Sequence, residues 1–155
     1  MKSNTFSKLS GKGMKFAIVV ARFNSEVTKK LEDGAQRALR EAGVKPNDVS
    51  THYVPGSFEL PLTADLIASK KMVDAIICLG AIIRGETPHH AHLARAVTLG
   101  IMEINLKRGL PVILGVLTTN NLKQALNRVK PDKTNNGYGA AKAAIEMVHA
   151  LRAIQ

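Results

Sequence analysis

The sequence lacks tryptophan, has a single cysteine and contains no apolar run near the roughly 20 residues that a bilayer span needs. One cysteine excludes a disulfide within the chain. Cys78 lies inside the apolar run 75–79, which favours a buried, unreactive thiol. Residues 1–13 carry three lysines with no apolar stretch behind them, so a secretory signal is not expected. These absences favour a cytoplasmic protein without membrane contact.

Acidic residues and aromatics are also scarce. The chain has 22 Lys and Arg against 12 Asp and Glu, a net charge of +10, but only four Phe and two Tyr. The positive charge is compatible with a nucleic-acid partner, with anionic small-molecule substrates, or with solubility alone. The basic residues are scattered, and single-stranded nucleic acid is held partly by aromatic stacking. Specific nucleic-acid recognition is therefore disfavoured.

Strand and helix patterns alternate along the 155 residues. The apolar periodicity predicts strands at 16–21, 49–54, 74–79 and 111–117, and helices at 25–42, 58–70, 88–107, 121–128 and 138–154. Parallel strands need such crossovers, so we expect one α/β domain: a three-layer sandwich with a four-stranded parallel sheet of flavodoxin-like type. The domain is predicted over residues 14–155, and residues 1–13 are predicted to be a flexible segment or an edge strand.

Ligands of such sheets bind beyond the carboxyl ends of the strands. The segments there are 22–24, 55–57, 80–89 and 118–119. In 80–89, Thr87 is suited to cap a helix and Pro88 to open it. The free amides of Glu86 and Thr87 would then attract an anion, with His89 beside it as a group that exchanges protons near neutral pH. The alternative is an exposed or capping histidine.

Two other patterns are ambiguous. Residues 91–106 are apolar around most of a helix, which indicates burial on most sides, either by a neighbouring subunit or as the central helix of a monomer. His89, His90 and His92 are close in sequence, but no acidic or cysteine partner stands nearby, so we expect no metal site.

Five segments together resemble the lumazine synthase (6,7-dimethyl-8-ribityllumazine synthase) family, in its order and spacing over about residues 14–152: 21–24 (ARFN), 54–61 (VPGSFELP), 80–89 (GAIIRGETPH), 115–119 (GVLTT) and the final helix from 135. The resemblance implies condensation of 5-amino-6-(ribitylamino)uracil with 3,4-dihydroxy-2-butanone 4-phosphate, releasing phosphate and water and giving 6,7-dimethyl-8-ribityllumazine for riboflavin biosynthesis. It implies no cofactor and no metal.

The resemblance also implies roles for residues. Phe23 would stack on the pyrimidine, and His89 would move protons. Arg128 would clamp the phosphate, and both it and Leu114 would come from a neighbouring subunit. Without the resemblance, Phe23 could be a core aromatic, Glu59 a surface helix residue and Arg128 part of a solvated face. The remaining implied contacts are Ser57, Phe58 and Glu59 at the ribityl and ring site, backbone groups of Ala81, Ile82 and Ile83 at the pyrimidine, and the amides of Glu86 and Thr87 at the phosphate.

Four positions depart from the family pattern. His90 and Ala91 replace an aromatic and an acid, Ala96 replaces an acid, and Asp132 replaces a lysine on the phosphate side. A divergent working transferase and a weakly active or inactive shell subunit, natural or engineered, both fit this pattern. A charge-driven nucleic-acid binder is a third reading. The implied partners are a homo-pentamer, twelve of which could close a 60-subunit shell, and riboflavin synthase.

Overall fold

Four parallel strands alternate with five helices in the computed structural model, which describes residues 9–154. Residues 1–8, most of the segment expected to be flexible or an edge strand, lie outside the described residues. Short 3-10 turns at Pro46–Asp48 and Ser57–Glu59 precede β2 and α2. The elements are β1 Phe16–Ala21, α1 Ser25–Glu41, β2 Val49–Val54, α2 Leu60–Ser69, β3 Ala75–Ile83, α3 His89–Arg108, β4 Val112–Thr119, α4 Leu122–Asn127 and α5 Asn136–Ile154.

The strands form one sheet in the order β2-β1-β3-β4, with every pair parallel. This confirms the flavodoxin-like α/β fold expected from the sequence. Alternate residues of the central strands point to opposite faces, so Ile18 packs toward α1 and α5, whereas Val19 packs toward α2 and α3. Helices on both faces bury β1 along its whole length. Cys78 is also fully buried, and burial raises the pKa of its thiol to about 12.

Apart from the end of β3, the ends of the elements lie within two residues of the predictions, and two differences concern the segment around the cavity. β3 was expected to end at residue 79 but continues to Ile83, because β4 pairs with it as far as Thr119. Thr87 was expected to cap the following helix, yet α3 begins at His89 with Pro88 as its N-cap. Proline fits that position because the first turn of a helix needs no amide donor.

Helix α3 covers the sheet with one side only. Val97, Ile101 and Ile104 are buried, whereas Leu99 and Met102 are more than half exposed. The alternative of a central helix in a monomer is therefore wrong, since α3 lies at the surface of this chain. Within residues 9–154, no helix combines the length and apolar character needed to cross a membrane.

Helices α1 and α5 approach closely at a glycine. A Cβ at Gly137 would overlap the carbonyl oxygen of Leu31, so only glycine permits this packing. The buried Asn135 side chain reinforces it: its Oδ1 accepts the amides of Gly137 (2.8 Å) and Tyr138 (3.3 Å), and its Nδ2 donates to the carbonyl of Lys30 (3.0 Å). Asn135 therefore both caps α5 and ties it to α1.

Gly137→Ala should lower the free energy of unfolding by about 3 kcal/mol, because the added methyl group meets backbone that cannot move aside alone. Gly139→Ala is the matched control: it lies on the same helix with open space around it and should be neutral or stabilise by up to about 1 kcal/mol. Urea unfolding of both variants checks this. Equal midpoints would contradict the proposed packing constraint.

Candidate active site

A cavity of about 490 Å³ opens at the carboxyl ends of β1, β2 and β3. The chain leaves β1 and β3 toward opposite faces of the sheet, and crevices of this fold class form at that switch point. The predicted residues there are Phe23, Ser57, Phe58, Ala81, Ile82, Ile83 and His89, joined by four that were not predicted as site residues, Asn24, Gly56, His90 and Leu93.

The cavity exists because β3 continues beyond the last residue that pairs with β1. β1 pairs with β3 only as far as Val20 and Leu79, whereas the β3–β4 ladder continues to Ile83 and Thr119. Beyond Leu79, the side of β3 that faces β1 therefore has backbone groups without a strand partner. These groups support the predicted use of Ala81 and Ile83 as backbone contacts for a flat polar ring, whereas the amide and carbonyl of Ile82 turn toward β4.

Asn24 occupies one of these backbone positions. Its Nδ2 donates to the carbonyl oxygen of Ala81 (2.8 Å), which joins the loop after β1 to the free end of β3. Asn24 has a left-handed backbone (φ 58°), a conformation that asparagine tolerates better than most residues. Strand alternation turns the amide and carbonyl of Ile83 to the same side as those of Ala81. The carbonyl of Ala81 is already bonded to Asn24, so the amide and carbonyl of Ile83 are the groups on this side that remain available to a ligand.

Two aromatic side chains stand at the mouth of the cavity. Phe23 is 71% exposed and Phe58 is 65% exposed, so neither is a core residue of this chain, and the alternative of a core aromatic at Phe23 is wrong. Backbone bonds from Arg22 to Val54 (2.8 Å) and from Phe23 to Pro55 (3.0 Å) hold the two loops side by side. The exposed ring of Phe23 is therefore fixed at its backbone and free to stack on a planar ligand.

Ser57 and Glu59 shape the loop after β2. A Cβ at Gly80 would meet Ser57 Oγ at 2.5 Å, so this glycine lets the buried serine lie against β3. Glu59 Oε2 accepts the amide of Gly56 (2.9 Å), which closes the turn before α2. One carboxylate oxygen of Glu59 is thus occupied by the protein. Its Oε1 makes no hydrogen bond within the described residues.

A candidate anion-binding turn, residues 85–87, adjoins the cavity at the start of α3. Arg84 donates its amide to Thr119 (2.8 Å), but the amides of Gly85, Glu86 and Thr87 find no acceptor within the part of the chain that the structure describes. These three exposed donors precede a 20-residue helix whose dipole adds positive potential. His89 is exposed, lines the cavity and lies in the first turn of that helix.

The neighbouring histidines do not form a metal site. Among residues 9–154, no group of three or more histidine, cysteine or acidic side chains lies close enough to hold an ion. His90 instead contacts the backbone, with Nδ1 3.1 Å from the carbonyl oxygen of Thr87. His92 is exposed and does not line the cavity, and the two departures at Ala91 and Ala96 are also exposed positions on α3 outside the lining.

Leu114 and Arg128 lie apart from the cavity of their own chain. Leu114 pairs with Cys78, four residues before Ile82 on β3, which corresponds to about 13 Å along the strand. It is 44% exposed on the edge strand β4. Arg128 is exposed at the end of α4, where its Nη1 donates to the carbonyl of Gln124 (2.9 Å). The structure of one chain does not bring either residue to the cavity.

Asp132 has its own partner. Its Oδ1 accepts both the amide (2.7 Å) and the hydroxyl of Thr134, and these hydrogen bonds hold the pKa of Asp132 below its usual range. The carboxylate therefore serves the turn before α5. Of the two nearby lysines, Lys133 points toward Glu41, with Nζ 4.0 Å from Oε2.

These features define an α/β protein with an aromatic-rimmed cavity beside a candidate anion-binding turn, the arrangement expected of an enzyme that brings a ring and a phosphorylated compound together. The family model for 6,7-dimethyl-8-ribityllumazine synthase matches residues 13–152. The chain belongs to this family. The 6,7-dimethyl-8-ribityllumazine synthase of Syntrophus aciditrophicus is 45% identical over 154 residues, covering 99% of this chain and all of the relative. That of Clostridium kluyveri is 41% identical over 148 residues, covering 96% of each.

Asn24→Ala should destabilise the protein by about 2 kcal/mol, because it loses the hydrogen bond to Ala81 and places alanine in a left-handed conformation. Asn24→Gly accepts that conformation and loses only the side-chain bond, so its loss should be about half as large. Urea unfolding compares the two. A glycine variant less stable than the alanine variant would show that the backbone conformation is not what the site requires.

Proposed function

We propose that the cavity and the anion-binding turn carry out the family reaction, condensation of 5-amino-6-(ribitylamino)uracil with 3,4-dihydroxy-2-butanone 4-phosphate to 6,7-dimethyl-8-ribityllumazine, with release of phosphate and water. One observation carries the proposal: a run of unpaired amides, Gly85 to Thr87, adjoins an aromatic-rimmed cavity, with His89 in the lining between them. A ring and a phosphate bound at these two places would meet next to the imidazole.

On the pyrimidine side, the exposed face of Phe23 stacks on the ring. The backbone of Ala81 and Ile83 gives the ring its hydrogen-bonding edge on the side of β3 beyond the β1 pairing. Ile82 lines the cavity, but its backbone groups face β4. The ribityl chain runs along the loop after β2, where Ser57, Phe58 and the free Oε1 of Glu59 lie. Carboxylate and hydroxyl oxygens suit a polyhydroxylated chain.

On the phosphate side, the amides of Glu86 and Thr87 bind the phosphate oxygens, while the Glu86 carboxylate turns outward. His89 accepts a proton as the amine adds to the ketone and returns one as water or phosphate leaves. A histidine exposed at the cavity mouth can exchange these protons with solvent between steps. Arg128 of a neighbouring subunit completes the phosphate site as a planar two-pronged donor.

Assembly is part of the proposal. Leu114 and Arg128 are distant from their own cavity, and the apolar side of α3 around Leu99 and Met102 is uncovered in one chain. A pentamer with sites between subunits accounts for both facts, and twelve pentamers could close a shell of 60 subunits. Within a cytoplasmic riboflavin pathway, riboflavin synthase is the proposed partner that consumes the product.

The side chains that the proposed reaction needs are retained, which supports an active transferase over an inactive shell subunit. Phe23, Glu59, His89 and Arg128 are present, and the Asp132 carboxylate is bonded to Thr134. Family membership gives no support to the hypothesis that the net charge of +10 serves to bind nucleic acid.

His89→Ala should lower kcat by about a hundredfold, the low end for general acid–base catalysis, because water can reach the site and replace part of the transfer. His92→Ala, on the exposed side of the same helix, is the control and should keep the wild-type rate. Steady-state lumazine formation measures both. A wild-type rate in His89→Ala would remove this residue from the mechanism.

Co-expression tests the shared site. His89→Ala and Arg128→Ala subunits each lack one half, so either homo-oligomer should be nearly inactive. In randomly mixed rings about a quarter of the sites would combine an intact His89 with an intact Arg128, and activity should return to about that fraction. No recovery in oligomers shown by mass spectrometry to be mixed would place both residues in the site of one subunit.

A further inference from the structure

We infer that His90 is a positioning residue for phosphate binding, because its imidazole anchors the peptide group that joins the anion-binding turn to α3. The observation is the 3.1 Å contact between His90 Nδ1 and the carbonyl oxygen of Thr87. A carbonyl oxygen only accepts, so Nδ1 carries the hydrogen and the neutral ring has its lone pair on Nε2. This inference rests on the proposed phosphate site.

The Thr87–Pro88 peptide group has few possible hydrogen bonds besides the one to His90. Pro88 has no amide hydrogen, so this peptide group can bond only through its carbonyl oxygen. In a regular helix the amide of Ala91 would reach that oxygen, but it donates to Pro88 instead (2.9 Å). Among the described residues, His90 is therefore the group that bonds the Thr87 carbonyl.

This anchor acts on the proposed phosphate ligands. Rotation about the Cα–C bond of Thr87 changes the angle between the helix and the three preceding amides, and it also swings the negative end of a carbonyl dipole around the turn. With the carbonyl held against His90, the free amides of Glu86 and Thr87 keep one orientation relative to α3. Pre-oriented donors bind an anion without the cost of ordering them. His90 also lines the cavity, so the same ring connects the two halves of the site.

Two substitutions separate this role from the alternatives. His90→Phe keeps an aromatic ring of similar size but has no donor. His90→Asn has a shorter side chain whose Nδ2 can occupy the place of Nδ1 and donate to Thr87, and it cannot transfer protons. If His90 positions the turn, asparagine should restore what phenylalanine loses. If His90 acts in proton transfer, both variants should fail alike.

The experiment measures the dissociation constant of inorganic phosphate by isothermal titration, together with kcat and KM for each substrate, on the wild-type protein and both variants. We expect His90→Phe to weaken phosphate binding and raise KM for the butanone phosphate about fivefold, the usual effect of one hydrogen bond. KM for the pyrimidine should stay within about twofold. His90→Asn should lie within about twofold of wild type in every constant.

Several outcomes would overturn the inference: equal phosphate affinity in wild type and His90→Phe, equal losses in both variants, or a larger change in pyrimidine KM than in butanone phosphate KM. A wild-type protein that binds no phosphate would overturn it as well. Failure of the proposed reaction is distinguishable, because a protein that forms no lumazine but shows the expected order of phosphate affinities would retain the positioning role. Thermal melting of both variants establishes that the fold is intact.

Discussion

The site depends on unequal pairing of the two sides of β3. On one side the ladder to β1 ends at Leu79, and on the other the ladder to β4 continues to Ile83. Buried backbone groups need partners, so a strand end that has lost its neighbour on one side must be satisfied by side chains, by water or by a ligand. Asn24 satisfies the carbonyl of Ala81. The groups beyond it are the ones proposed to recognise a planar molecule with donors and acceptors along its rim.

The same divergence places the anion-binding turn. Because β3 runs past β1 before the chain turns, residues 84–88 emerge beyond the sheet, and α3 begins there with its amino end toward the cavity. Helix α3 begins directly after Pro88, and the amides of residues 85–87, which precede it, are unpaired within the described residues. In the proposed site the phosphate is bound by backbone amides, whose donors are independent of side-chain identity. Glu86 can stand in such a turn because its amide, and not its carboxylate, is the proposed ligand.

Much of this could be predicted from the sequence, and the exceptions have physical causes. The alternation of apolar strands and amphipathic helices fixed the parallel sheet, and each predicted strand overlaps an observed one. The predicted β3 ended before Gly80, because glycine commonly ends a strand. In the structure this glycine lies within β3, where it allows the close approach of Ser57. Asn24 was missed as a site residue because its role depends on a contact 57 residues away. His90 was considered as one of three neighbouring histidines and as a departure from the family pattern, but its role was missed, since a bond to a backbone carbonyl leaves no trace in composition or spacing.

Two of the positions that depart from the family pattern, Asp132 and His90, share a structural role. Asp132 replaces a lysine that the family pattern places on the phosphate side, and His90 replaces an aromatic residue. Both make hydrogen bonds to nearby turns: Asp132 to Thr134, His90 to Thr87. In each case the side chain stabilises the conformation of a loop. A site whose anion ligands are mostly backbone amides can tolerate changes in the surrounding side chains as long as the loops keep their shape. The charge that the replaced lysine would have supplied is then the main loss at Asp132, and Arg128 becomes the main cationic side chain expected at the phosphate. Because position 132 lies only four residues after Arg128, that lysine would also have come from the neighbouring subunit in the proposed assembly. Its replacement should therefore shift phosphate affinity away from the neighbouring subunit and toward the backbone amides of residues 85–87 in the same chain.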